Sequence, residues 1–193
     1  MTPLPHSLFS QPWPEGDFRF FQTGFVVDDL VATAHRWADV HGVGPFHVLP
    51  AREVACTYRG TPTSVDLQIA VAQAGPVQIE LIHQRDDRPS VFRELAATGP
   101  CGFHQICTVT ADHSAAIAAY ASKGYGVAYE IPGSRGAPSV AYVDTLADFG
   151  FFTEVVESTP SFLEQLAAVS ATCATWDGTD PVRELTRDGY RAL

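Results

Sequence analysis

The stretch Phe20-Phe21-Gln22-Thr23-Gly24-Phe25-Val26-Val27-Asp28-Asp29-Leu30 decides the fold, because a copy of it returns 83 residues later as Phe103-His104-Gln105-Ile106-Cys107-Thr108-Val109-Thr110-Ala111-Asp112. In both copies a Gln sits inside an apolar, strand-like run, seven residues ahead of an Asp. The Asp opens a helix-like segment whose eighth following residue is aromatic, Trp37 or Tyr120. Gly42-Val43-Gly44 and Gly124-Tyr125-Gly126 then follow, one deletion out of step. Val77-Gln78-Ile79-Glu80-Leu81-Ile82 is answered by Phe151-Phe152-Thr153-Glu154-Val155-Val156. Self-similarity of this kind marks two structural repeats. Each contributes one Gln and one Glu.

Working outward, residues 1–17 hold four prolines and read as an arm, with Trp13 as its anchor. Residues 18–99 form the first repeat. A strand over 19–27 leads, through Asp28 and Asp29 as helix caps, into a helix over 30–41 that Gly42 and Pro45 end. Strands over 46–49 continuing into 52–59, over 63–73 and over 77–83 follow. In 63–73 the apolar Val65, Leu67, Ile69 and Val71 alternate with smaller or polar residues, which gives one face to a core. A charged linker and a short helix over 90–98 precede Gly99-Pro100.

The second repeat, 100–158, reads as a strand over 103–110, a helix over 112–123 and strands over 126–131, 137–144 and 150–157. Residues 159–193 supply an amphipathic helix from Ser161 to about Ala174 and an acidic, turn-rich tail read as a surface extension. Neither repeat is large enough to bury a core alone, so both belong to one compact domain. The fold class expected is α+β, with two tandem βαβββ units forming a curved mixed sheet around a central cavity and a C-terminal helix.

Composition narrows the partners. A net charge of −10 with only 12 Lys and Arg and no basic cluster argues against nucleic acid and against an anionic membrane surface. No apolar run reaches the roughly 20 residues of a spanning helix, and no secretory signal opens the chain, so a soluble cytoplasmic protein is expected. Cys56, Cys101, Cys107 and Cys173 have no CxxC spacing, which points to neither a zinc knuckle nor a disulfide framework. A small molecule or a second copy of the chain remains as partner. No Ser-His-Asp order, GxSxG, phosphate-binding Gly loop or dinucleotide fingerprint is present.

The phrases Gln22-Thr-Gly-Phe-Val-Val-Asp-Asp-Leu30, Gly102-Phe-His-Gln-Ile106, Ile79-Glu-Leu-Ile82 and Ala141-Tyr-Val-Asp-Thr145 resemble the vicinal oxygen chelate superfamily of glyoxalases, bleomycin resistance proteins and dioxygenases. The resemblance runs over about residues 18–157 and is nearest the glyoxalase I and methylmalonyl-CoA epimerase branch. It implies a homodimer and a divalent metal at four positions that fall on Gln22, Glu80, Gln105 and Glu154. Relatives carry His at the third position. A set of amides and carboxylates without imidazole suits Mg or Mn better than Zn or Ni, or no metal at all, and does not suit Fe(II) oxygen chemistry.

The resemblance also implies that Glu154 is the general base, with Glu80 as its catalytic counterpart, in lyase or isomerase chemistry on a small carbonyl compound. The alternative from another class is a metal-free protein that sequesters a small molecule. A hydrogen-bonded cluster that merely closes the sheet is the plain structural reading. Against that reading, two converging carboxylates repel unless a proton, a donor or a cation intervenes. Tyr58, Tyr142, Phe149, Phe152 and His47 are candidates to line the substrate pocket. His104 and Gln105 are neighbours on a strand and face opposite ways unless the strand bulges.

Overall fold

The computed structural model describes residues 19–95, 101–134, 137–186 and 189–193. The expected arm with Trp13 lies outside the described residues. The first repeat runs β1 (Arg19–Val27), α1 (Leu30–His41), β2 (Phe46–Val48), β3 (Arg52–Tyr58), β4 (Thr61–Ala74) and β5 (Val77–Gln84). A short helix, α2 (Val91–Glu94), joins it to β6 (Cys101–Thr110), α3 (His113–Ala121), β7 (Val127–Ile131), β8 (Val140–Val143), α4 (Leu146–Phe149) and β9 (Phe152–Glu157). The chain ends with α5 (Pro160–Ala174), β10 (Val182–Thr186) and β11 (Gly189–Ala192).

Local chemistry explains the helix ends. Asp29 and Asp112 each accept a backbone N–H of the first turn, from Ala32 at 3.0 Å and from Ala115 at 2.9 Å. Gly42 stops α1 in the left-handed region at φ 64°, with its N–H returned to Ala38 O. Of the buried stripe of α1, Leu30, Ala34 and Ala38, the first two pack with Phe46, Val48, Ala70, Ala72, Ile79 and Leu81 on the outer face of the sheet.

β1 pairs with β5 and β6, β6 with β9, β9 with β8, β8 with β7, β7 with β3, β3 with β4 and β4 with β5. These eight strands close into a ring, so the curved sheet becomes a barrel whose inner side chains pack against one another. The repeats meet along β1–β6 and again at a shorter seam, where β3 meets β7 at Thr57↔Glu130 and Tyr58↔Tyr129.

Two helices close the ends of the ring. α5 lays Phe162 and Leu166 against Phe21, Cys107 and Val156 at one end. At the other, α2 tucks Val91 and Phe92 in among Tyr129, Tyr142 and Phe152. The C-terminal tail is not the surface extension its composition indicates. It forms the β10–β11 hairpin, which adds to the sheet beside β2 through Val182↔Phe46, Arg183↔His47 and Glu184↔Val48. Edge pairing satisfies backbone groups whatever the side chains, so an acidic, turn-rich tail can still supply strands.

Candidate functional site

Strand register builds the site in two neighbouring rows on the inner face. One row runs Glu80, Gly24, Gln105, Phe152 across β5, β1, β6 and β9. The next runs Gln78, Gln22, Cys107, Glu154, Tyr142 across β5, β1, β6, β9 and β8. All these side-chain-bearing residues are buried, and the Gln105 and Phe152 side chains are sealed completely.

The register also decides how His104 and Gln105 face. Gly24 pairs with Gln105 while its neighbour Phe25 pairs with Phe103, which leaves His104 as an extra residue in β6. That bulge turns both side chains inward. The His104 ring stacks among Phe92, Tyr142 and Phe152, at centroid separations of 5.3, 5.8 and 5.1 Å. Its Nε2 lies 3.0 Å from Val91 O, and its Nδ1 contacts Gln105 Oε1.

Gln105 donates from Nε2 to Glu80 Oε2 at 2.9 Å and reaches Glu154 Oε2 at 3.4 Å. It can lean across to Glu80 because Gly24 lies between them. A Cβ on Gly24 would fall 2.2 Å from Gln105 Nε2. The sequence contains no sign of this requirement, because it exists only once the strands are in register.

Electrostatics separates the two carboxyls. Burial first, then the nearby Glu154 charge, pushes Glu80 well above the usual carboxylate range. Burial also raises Glu154, but hydrogen bonding from Cys107, Tyr142 and Gln105 opposes that rise. Glu80 is therefore the member raised further and the readier of the two to hold a proton. Around them burial holds the Tyr142 hydroxyl and the Cys107 thiol in their neutral forms and lowers His104.

The structure thus brings together Glu80, Gln105 and Glu154, with Tyr142 and Phe152 as walls. Gln22 instead donates to Gln78 Oε1 at 2.8 Å. His47 is buried in β2, edge-on to Tyr190 of β11. Tyr58 lies at the β3–β7 seam, in a surface recess with Asp87, Arg93 and Glu94. Phe149 is exposed, in ring contact with Phe151.

The four positions do not make a cation cage. Gln105 turns N–H rather than oxygen toward both carboxylates, its oxygen faces His104, and Gln22 bonds Gln78, so neither amide turns an oxygen toward the two carboxylates. Among the described residues no three His, Cys, Asp or Glu side chains converge as ligands.

The family model described as Glyoxalase/Bleomycin resistance protein/Dioxygenase superfamily matches residues 21–142. The chain belongs to that superfamily. No curated protein matches it. Among solved structures, methylmalonyl-CoA epimerase from Mycobacterium tuberculosis is 17% identical, with 81% of this chain and 99% of that one covered at a TM-score of 0.54. A Streptomyces coelicolor methylmalonyl-CoA epimerase variant in complex with 2-nitronate-propionyl-CoA is 22% identical, with 75% and 97% covered at 0.53. A methylmalonyl-CoA epimerase in complex with methylmalonyl-CoA and NH4+ is 20% identical, with 75% and 97% covered at 0.52. At these identities the likeness is one of fold.

Proposed function

We propose that the protein is an isomerase of the epimerase type, working without a resident metal on a small carbonyl compound that carries an acidic hydrogen beside the carbonyl. The observation that carries this reading is the pair of buried carboxyls, Glu80 and Glu154, bridged by the one Gln105 amide.

In the proposed step the Glu154 carboxylate removes the α-proton. The C–H electrons move into the carbonyl to give an enolate, and Glu80 returns its own proton to the carbon. The two carboxyls then exchange protonation states. Gln105, which reaches both, stabilises whichever is charged. A base whose pKa is raised by burial toward working pH is suited to this task. Return of the proton to the opposite face gives an epimer, return to a neighbouring atom gives an isomer, and loss of a leaving group gives lyase chemistry.

The fold neighbours supply the first compound to try, methylmalonyl-CoA, followed by other thioesters and ketones with acidic α-hydrogens. The test is solvent deuterium wash-in at the α-carbon, followed by proton NMR. Wild type is expected to exchange the hydrogen and Glu154→Gln to lose about 10²–10⁴ in rate. Exchange that persists in Glu154→Gln would remove the carboxylate from the mechanism.

The second reading, a protein that sequesters an apolar ligand, draws on the aromatic walls Phe92, Tyr129, Tyr142 and Phe152. It predicts ligand-induced thermal stabilisation without exchange of any ligand hydrogen.

A further inference from the structure

The proposed proton abstraction leaves negative charge on the carbonyl oxygen of the substrate, and Gln105 is already committed to the carboxyls. The Gln78 side chain offers an unused donor beside them. Gln78 is 2% exposed, and its Nε2 has no hydrogen-bond partner among the described residues. Its oxygen accepts from Gln22 Nε2 at 2.8 Å, so the amide is held with both N–H bonds unspent.

Its position is set by register. Gln78 precedes Glu80 by two residues on the same face of β5, a spacing of about 6.6 Å. It opens the row that continues through Gln22 and Cys107 to Glu154.

A buried amide without a partner is costly to the fold, and the other buried polar residues of β5, Glu80 and Gln84, each have one. Where such a group is kept, and kept oriented by a neighbour, it calls for an acceptor.

We infer that Gln78 is a substrate-binding catalytic residue whose side-chain N–H bonds hold the carbonyl oxygen as it becomes an enolate, with Gln22 as the positioning residue that aims them. The inference rests on the proton-abstraction reading. In the step, the α C–H bond breaks and its proton goes to Glu154. The electron pair forms C=C, the C=O becomes C–O⁻, and that oxygen accepts from Gln78. Nothing is oxidised or reduced. A preorganised neutral donor in a water-poor site supplies the stabilisation that a metal ion supplies elsewhere. The substrate class follows: a thioester or ketone whose oxygen can point along the row that Gln78 shares with the base, with no requirement for a metal-chelating second oxygen.

The experiment uses propionate-3-nitronate, a stable planar analogue of an enolate, with the full chain. Binding is followed by the ¹H–¹⁵N signals of the side-chain amides, and the Gln78 signals are assigned by their loss in Gln78→Met. In wild type the nitronate is expected to shift the Gln78 NH₂ signals downfield. Gln78→Met should weaken binding about tenfold or more, and Gln22→Met should weaken it less while the Gln78 signals remain. Gln22→Met also serves as the folded control should Gln78→Met unfold, because loss of the aiming bond must itself reduce the shift. Equal affinity in wild type and Gln78→Met, or unshifted Gln78 signals in a bound complex, would overturn the inference and leave the Glu80–Glu154 reading standing. Failure of wild type to bind the nitronate at all would overturn both.

Discussion

Gly24 carries no functional group, yet the site depends on it. The space where its Cβ would stand is occupied by the Gln105 amide, at 2.2–2.6 Å from the amide atoms. Gly24→Ala is expected to swing that amide away from Glu80 and cost about 2 kcal/mol, in the range of other strained core insertions. A fall of about 4–8 °C in Tm, with loss of the Gln105 contact seen in a crystal structure of the variant, would check this. The four Gln and Glu positions were legible in the sequence because the repeat marks them twice. Gly24 was not, and neither was the pairing of Gln22 with Gln78, because both arise from cross-strand neighbours that no spacing along the chain displays.

Glu80 also ties the site to stability. Its folded pKa is raised above the unfolded value, chiefly by burial. Its protonated form therefore favours the fold below the unfolded pKa, near 4.3, and that contribution is lost as pH rises through the folded pKa. Wild type should lose stability from mildly acidic to alkaline pH, and Glu80→Gln should flatten the profile and be the more stable protein at pH 9. Thermal melts across that range measure it, and parallel profiles for the two proteins would contradict it.

At the level of elements, the ring is weakest at β3–β7, the shorter of the two places where the repeats meet. β3 and β7 share two residue pairs, reinforced by the Arg59 N–H donating to Ala128 O at 2.8 Å. Arg59 adds a clamp, with Nε and Nη2 on Glu94 at 2.8 and 2.6 Å and Nη1 on Asp144 at 3.0 Å, which links β3, α2 and β8. The Arg59 side chain is 45% exposed, so its removal is expected to cost only about 1 kcal/mol. Arg59→Ala should raise hydrogen exchange at the Tyr58 and Tyr129 amides roughly fivefold while leaving β1 and β6 unchanged. Uniform acceleration through the whole ring would show that the seam does not open on its own.

Most elements could be read from residue types alone: Asp caps, a Gly stop and the alternation in β4 each act locally. The extra residue in β6 that turns His104 inward was visible only as a condition, since a bulge is a property of two strands. The β10–β11 hairpin was misread because its strands owe their place to the free edge of β2.

For the molecule as a whole, the repeats give more than a curved sheet. They close it, with α2 and α5 sealing the ends, so that the two carboxyls of Glu80 and Glu154 sit in an interior otherwise made of aromatic, aliphatic and neutral polar groups. The chain has a net charge of −10, and among the described residues Glu80 and Glu154 are the carboxylates that are buried, the others being exposed or partly so. The doubled pattern could be read in the sequence, but closure of the ring could not. Closure rests on two residue pairs between segments about seventy residues apart.

The measurement that tests this account most directly is a ¹³C NMR titration of the Glu80 and Glu154 side-chain carboxyls in the full chain, assigned with Glu80→Gln and Glu154→Gln. At pH 7 one protonated and one ionised carboxyl are expected, with the proton on Glu80. Glu154 is further expected to titrate closer to the ordinary Glu value once Glu80 is replaced and the remaining donors hold it alone. Two carboxyls both ionised at pH 7 and titrating near 4.3 would contradict this assignment.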